Sequence, residues 1–116
     1  MKQHRPERVS ALITEQLGKI LLKEIEAPEG VLLTITDVEV SKDLEHANVK
    51  VSVYPSNQAE AMMKILEKKQ GHFQFTLSRK LNIRPMPRIV FKFDVGLEKA
   101  ALIEKRLLED ESSRES

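Results

Sequence analysis

The chain has 116 residues, enough for one domain that buries its own core. It is 41% hydrophobic and 32% charged and contains no cysteine, which excludes a disulfide framework and thiolate chemistry. No apolar run reaches the length of a membrane span and MKQHRPER carries no signal-peptide core, so a cytoplasmic protein without a membrane partner is expected.

Residues 5–26 predict a helix. Val9, Leu12, Ile13, Leu17, Ile20, Leu21 and Ile25 fall at i, i+3, i+4 spacing on one stripe. Pro6 suits the first turn, and Pro28 with Gly30 should end the helix. Residues 31–41, VLLTITDVEVS, predict a strand whose apolar parity changes between Ile35 and Val38, so a bulge is expected near Thr36–Asp37. NVKVSVY then alternates cleanly, with Val49, Val51 and Val53 on one face. The short link between the two runs predicts an antiparallel pair.

Asn57 and Glu60 have the spacing of a capping box for a helix carrying Ala59, Met62, Met63 and Leu66. That helix should stop or bend at Gly71, and a second should run on to about Leu81 or Asn82. Residues 88–94 predict a third strand with Ile89, Phe91 and Phe93 inward. A last helix is expected from Leu97 to Leu108, followed by an acidic tail, residues 109–116, too polar to order itself. All three strands alternate apolar with polar, so the fold class is α+β with helices on one face of a three-stranded sheet.

Catalysis is not signalled. The three histidines lie in separate elements, the four glycines form no phosphate loop, and no nucleophile has a base at a meaningful spacing, so neither enzyme activity, metal nor cofactor is expected. Asp94 follows a strand, where capping the last helix or closing a turn is the expected role. Charge placement says more. Residues 62–92 hold eight Lys or Arg against one acid, Glu67, a local +7 that leaves −6 for the rest of a chain whose net charge is +1. A bend at Gly71 would expose amide N–H groups at the start of the next helix, and glycine would let a phosphate backbone approach. Lys68, Lys69, Arg79, Lys80, Arg84 and Arg88 would extend such a site along a polyanion, with Arg5 and Arg8 as a second basic edge. The same residues also fit a glycine that caps one helix before a tight turn, flanked by a solvated charge run. Phe91 and Phe93 face the expected core, which argues against bases stacked on the sheet and for recognition of backbone and shape.

The segments RPERVSALITEQLGKILLKEI, VEVSKDLEHANVKVSV and LNIRPMPRIVFKFD, in this order, resemble the bacterial ribosome-binding factor A family, from about Arg5 to Glu109. The resemblance implies a type II KH fold, helix–strand–strand–helix–kink–helix–strand, as one domain over residues 1–108. It implies a non-enzymatic, RNA-binding partner of the small (30S) ribosomal subunit or its immature precursor. Such a protein assists late maturation of 16S rRNA, supports growth in the cold, acts alongside assembly GTPases, and works as a monomer. The chain departs from the family pattern at Lys69, where alanine is usual, and at Gln74, where arginine is usual. The rival expectation is a protein-interaction or self-association module using a strand edge.

Overall fold

Helix α1 spans Pro6–Glu24 in the computed structural model, which describes residues 5–95. Its predicted stripe forms the core contact: Val9, Ile13, Leu17, Ile20 and Leu21 are buried, and Leu12 and Ile25 pack at the margin. The helix stops before the expected position 26. Ile25 already has extended backbone (φ −100°, ψ 112°), since a helix continued to Pro28 would set its ring against the Glu24 carbonyl and offer that carbonyl no N–H.

Strand β1 (Leu32–Val40) pairs antiparallel with β2 (His46–Tyr54), and β2 pairs parallel with β3 (Arg88–Phe93), giving the order β1-β2-β3. The predicted bulge is present. Ile35 pairs with Val51 and Asp37 with Lys50, so Thr36 is the extra residue. This brings Leu33, Ile35, Val38 and Val40 against the core together. The Ser10 hydroxyl of α1 donates to the Val38 carbonyl and fixes the helix to this strand. The Thr36 hydroxyl donates to Asp94 Oδ2 at 2.6 Å, and the Asp94 amide donates to the Val51 carbonyl at 2.7 Å. Asp94 therefore ties the end of β3 to the bulge. In the β1–β2 connection the Asp43 carboxylate accepts from the Ser41 hydroxyl and the Glu45 amide. These two bonds, the hydroxyl's first, hold its carboxyl below the usual range.

The capping box expected at Asn57–Glu60 does not form. A 3-10 turn occupies Ser56–Gln58, and no side chain caps α2 (Ala59–Lys68). The Gln58 amide bonds the Pro55 carbonyl and the Ala59 amide the Ser56 carbonyl, and this turn makes Gln58, at φ −95° and ψ −4°, the residue that precedes α2, so Asn57 does not stand at the N-cap. Helix α3 runs Gln70–Leu81 and ends at Asn82 in the left-handed region (φ 50°, ψ 39°), a conformation asparagine tolerates. Met62, Leu66, Phe73 and Leu77 drive both helices onto the sheet, where Phe73 meets Phe91 edge-on at 5.9 Å. Ile89 and Phe91 are buried as expected, whereas Phe93 is half-buried at the strand end. All three helices cover one sheet face. With its helix–strand–strand–helix–helix–strand order and parallel β2–β3 pair, the molecule has a type II KH-like α+β fold. The expected final helix and acidic tail lie outside the described residues.

Candidate nucleic-acid interface

The helix break lies at Lys69, two residues before the glycine that signals it. Lys69 has φ −96° and ψ 5°, its amide bonds the Ile65 carbonyl, and its own carbonyl accepts from the Phe73 amide, each at 3.1 Å. One residue leaving the helical basin is enough to turn the axis. Gly71 is the second residue of α3, and a Cβ placed on it would meet nothing within 4 Å. It thus carries no left-handed cap, which overturns the reading of Gly71 as a helix terminator. What remains is an exposed position with open space above it. No side chain caps the N-terminus of α3 and no acid lies in its first turn. The first-turn amides and the positive helix end are therefore left for an anion. Gly71→Ala should leave the fold intact and raise stability by about 0.4–1 kcal/mol, measured as a shift in the thermal midpoint.

The cations separate into groups. At the α2–α3 junction Lys68 and Lys69 line a groove with Ile65, His72 and Glu24. Glu24 also lines a second groove, between α1 and α3, with Lys19, Lys23, Thr76 and Lys80. Three predicted residues, Lys68, Lys69 and Lys80, are thus distributed over two grooves that share Glu24, together with two unpredicted ones, Lys19 and Lys23. Glu24, the single acid lining either groove, is engaged by His72 Nε2 at 2.9 Å. Lys23, Lys68, Lys69 and Lys80 form no ion pair with a described residue, while Lys19 is held loosely by Glu15 at 3.4 Å. Five lysines along these two grooves give this side of the molecule a positive potential that attracts anions.

The other predicted residues stand apart. Arg88 lines a separate groove with Glu67, Gln70 and Phe91, between the end of α2 and the outer edge of β3. Arg84 is exposed in the loop before β3, and Arg79 lies over the Phe75 ring. Arg5 and Arg8 sit at the opposite end of α1, with Arg8 roughly 22 Å along the axis from Lys23. The structure does not gather them with the lysines.

Gln74, the departure from the family pattern, has a defined place. Its Nε2 donates to the Pro87 carbonyl and its Oε1 accepts from the Ile89 amide, both at 2.8 Å. Gln70 Nε2 donates to the Ile89 carbonyl at 2.9 Å. Two side-chain amides thus take up outward backbone groups of Pro87 and Ile89 at the free edge of β3, where an added strand would otherwise pair. Gln74→Leu keeps the volume but leaves these part-buried backbone groups unpaired. It should cost about 1–3 kcal/mol, read from the midpoint of a denaturant titration.

Sequence signals for the missed residues are weak. Lys19 and Lys23 alternate with Glu15 and Glu24 and read as ordinary surface charge, and only the packing of α1 on α3 turns them toward Lys80.

Together, the fold and the helix junction define a KH-like domain with lysine-lined grooves beside α3. Comparison places it further. The profile of ribosome-binding factor A matches residues 5–107. A ribosome-binding factor A of Dictyoglomus thermophilum is 40% identical, covering 97% of this chain and 99% of its own. That of Halothermothrix orenii is 36% identical, covering 99% and 98%. The chain belongs to the ribosome-binding factor A family. Among solved structures, the solution structure of a Thermotoga maritima protein described as a putative ribosome binding factor A superposes with a TM-score of 0.56 at 28% identity, covering 78% of this chain and 84% of that one. The crystal structure of ribosome-binding factor A from Thermus thermophilus gives 0.63 at 23%, a likeness of fold, covering 77% and 96%. A T. thermophilus ribosome binding factor A, fitted as a homology model into the cryo-EM map of a 30S complex, gives 0.54 at 26% identity, covering 72% and 92%.

Proposed function

We propose that this protein binds the small ribosomal subunit or its precursor through ribosomal RNA phosphates. It holds a local RNA conformation during late maturation of 16S rRNA and catalyses no reaction itself. The observation that carries this reading is the set of lysines, Lys19, Lys23, Lys68, Lys69 and Lys80, along two grooves that share Glu24, beside the uncapped start of α3. Family membership supports the partner, since the T. thermophilus relative was fitted within a 30S complex. Arg79, Arg84 and Arg88, apart from the lysines, serve as secondary phosphate contacts, and Arg5 and Arg8 serve a distant strand of the same RNA. The role in cold growth, the link to assembly GTPases, the monomeric state, the cytoplasmic location and the single domain over residues 1–108 belong to the same proposal. No described helix is long and apolar enough to cross a membrane.

The test is co-sedimentation of the whole protein with purified small subunits at low and high salt. Retention at low salt and release at high salt is expected. Retention that ignores salt would favour the rival protein-interaction reading. Gly71→Ala should also release more readily than wild type despite its greater stability, because the added methyl occupies the approach to the α3 amides. A Gly71→Ala protein that co-sediments normally removes the glycine from the site.

A further inference from the structure

Phe75 has no role in the core and none in the lysine groove. It lies on α3 and is 61% exposed, an unusual setting for a phenylalanine in the middle of a helix. A single exposed ring needs no explanation by itself. Its neighbours make this one different. Gly71, Phe75 and Arg79 are spaced four residues apart and share one row on the outer face of α3. Arg79 sets its guanidinium carbon 5.7 Å from the ring centroid, while Gly71, one turn earlier, leaves the space above the backbone open. The adjoining row is His72, Thr76 and Lys80, which faces the lysine groove.

We infer that Phe75 is a stacking platform for an unpaired base of an RNA strand whose phosphates lie in the lysine groove. This inference rests on the RNA-binding reading above and adds to it a residue that reads bases and not phosphates. A protein partner would want apolar neighbours around the ring. Phe75 instead has glycine, arginine, histidine and lysine beside it, which suits a flat apolar group attached to an anion. Arg79 takes one side of the ring as a cation–π partner and leaves the rest for a base, giving a base–phenyl–guanidinium pile. Successive members of the row are about 6 Å apart along the helix axis, so a phosphate at the Gly71 amides and a base on Phe75 can belong to neighbouring nucleotides. Phe91 is buried and Phe93 is half-buried, so neither β3 ring offers a free face, whereas Phe75 offers one on a helix.

The test compares Phe75→Ala, Phe75→Trp and Lys69→Glu with wild type, using a mixed-sequence single-stranded RNA oligonucleotide and its duplex. Phe75→Ala should weaken single-strand binding about tenfold, leave duplex binding unchanged and keep the salt dependence of wild type. Phe75→Trp should bind at least as well as wild type. Because the chain has no tryptophan, its fluorescence reports the site alone and should be quenched by the single strand but not by the duplex. Lys69→Glu should weaken both RNAs and flatten the salt dependence. Unchanged single-strand affinity in Phe75→Ala, or equal losses for both RNAs, overturns the stacking role. If Lys69→Glu still weakens binding in that case, the phosphate reading stands. If neither variant matters, the phosphate reading fails as well. The exposure of Phe75 predicts an unchanged melting temperature for both replacements, which separates a binding defect from a folding one.

Discussion

Phe73→Ala is expected to destabilise the fold by about 3–5 kcal/mol, a large share of what a domain of this size possesses. The ring is fully buried and meets Phe91 edge-on at 5.9 Å, with Leu66, Leu77 and Ile89 in the same core cluster. It also lies one helical turn after Lys69, whose carbonyl accepts the Phe73 amide. Removing the ring therefore opens a cavity directly beneath the α2–α3 junction, and the groove geometry should loosen along with the core. A guanidinium titration should show a lower midpoint with an unchanged slope. A loss below about 1 kcal/mol would mean that the ring does not fill the space assigned to it.

The second large effect is electrostatic. Lys69→Glu with Lys80→Glu should lower affinity for small ribosomal subunits about 100-fold at moderate salt, while the fold persists. Both side chains are exposed and neither forms an ion pair with a described residue, so reversal removes no internal contact. In the groove, however, each new carboxylate would face phosphate. Like-charge juxtaposition in an interface costs several kcal/mol, and roughly 3 kcal/mol suffices for that factor. The same pair of changes at Arg5 and Arg8, at the far end of α1, should have a much smaller effect. Equal losses from the two pairs would mean that the groove is not the main contact.

Much of this architecture can be read from residue patterns, for identifiable reasons. The parity change between Ile35 and Val38 is legible because strand side chains alternate strictly, so an extra residue must be absorbed somewhere, and Thr36 absorbs it. The helix break is legible as a break, but its position is not. Glycine draws attention by its propensity, yet here it sits comfortably inside α3 and Lys69 turns the chain. The capping box at Asn57–Glu60 has the right letters, but residues 56–58 wind into a 3-10 turn that moves the N-cap of α2 from Asn57 to Gln58. Other features depend on tertiary packing and leave no local trace. Lys19 and Lys23 meet Lys80 only because α1 lies against α3. Gln70 and Gln74 meet Ile89 and Pro87 only because β3 returns beside α3. The polar character of Gln74 is legible, but its partners thirteen and fifteen residues away are not.

The same packing explains why a chain with a net charge of only +1 can present a cationic site. Several of its acids are engaged away from the grooves: Glu39 holds Lys50 at 2.9 Å, Asp94 is tied to the bulge, and Asp43 is occupied within a turn. Lys50 is accordingly held above the usual lysine range, first by its hydrogen bond to Glu39 and then by the charge of that group. Of the groove lysines only Lys19 has an acidic partner among the described residues, Glu15 at 3.4 Å, and Lys23, Lys68, Lys69 and Lys80 have none, which favours them over Lys50 as the surface for a polyanion.

The central claim is that ammonium groups along the α1–α3 groove neutralise RNA phosphates, and the slope of binding strength against salt measures this most directly. Plotted as log affinity for purified small subunits against log salt concentration, wild type should fall with a slope of about −3 to −5, as for roughly four to six neutralised phosphates. The Lys69→Glu, Lys80→Glu protein should give a slope shallower by about 2. A flat wild-type line, or a variant whose slope matches wild type, would contradict the account.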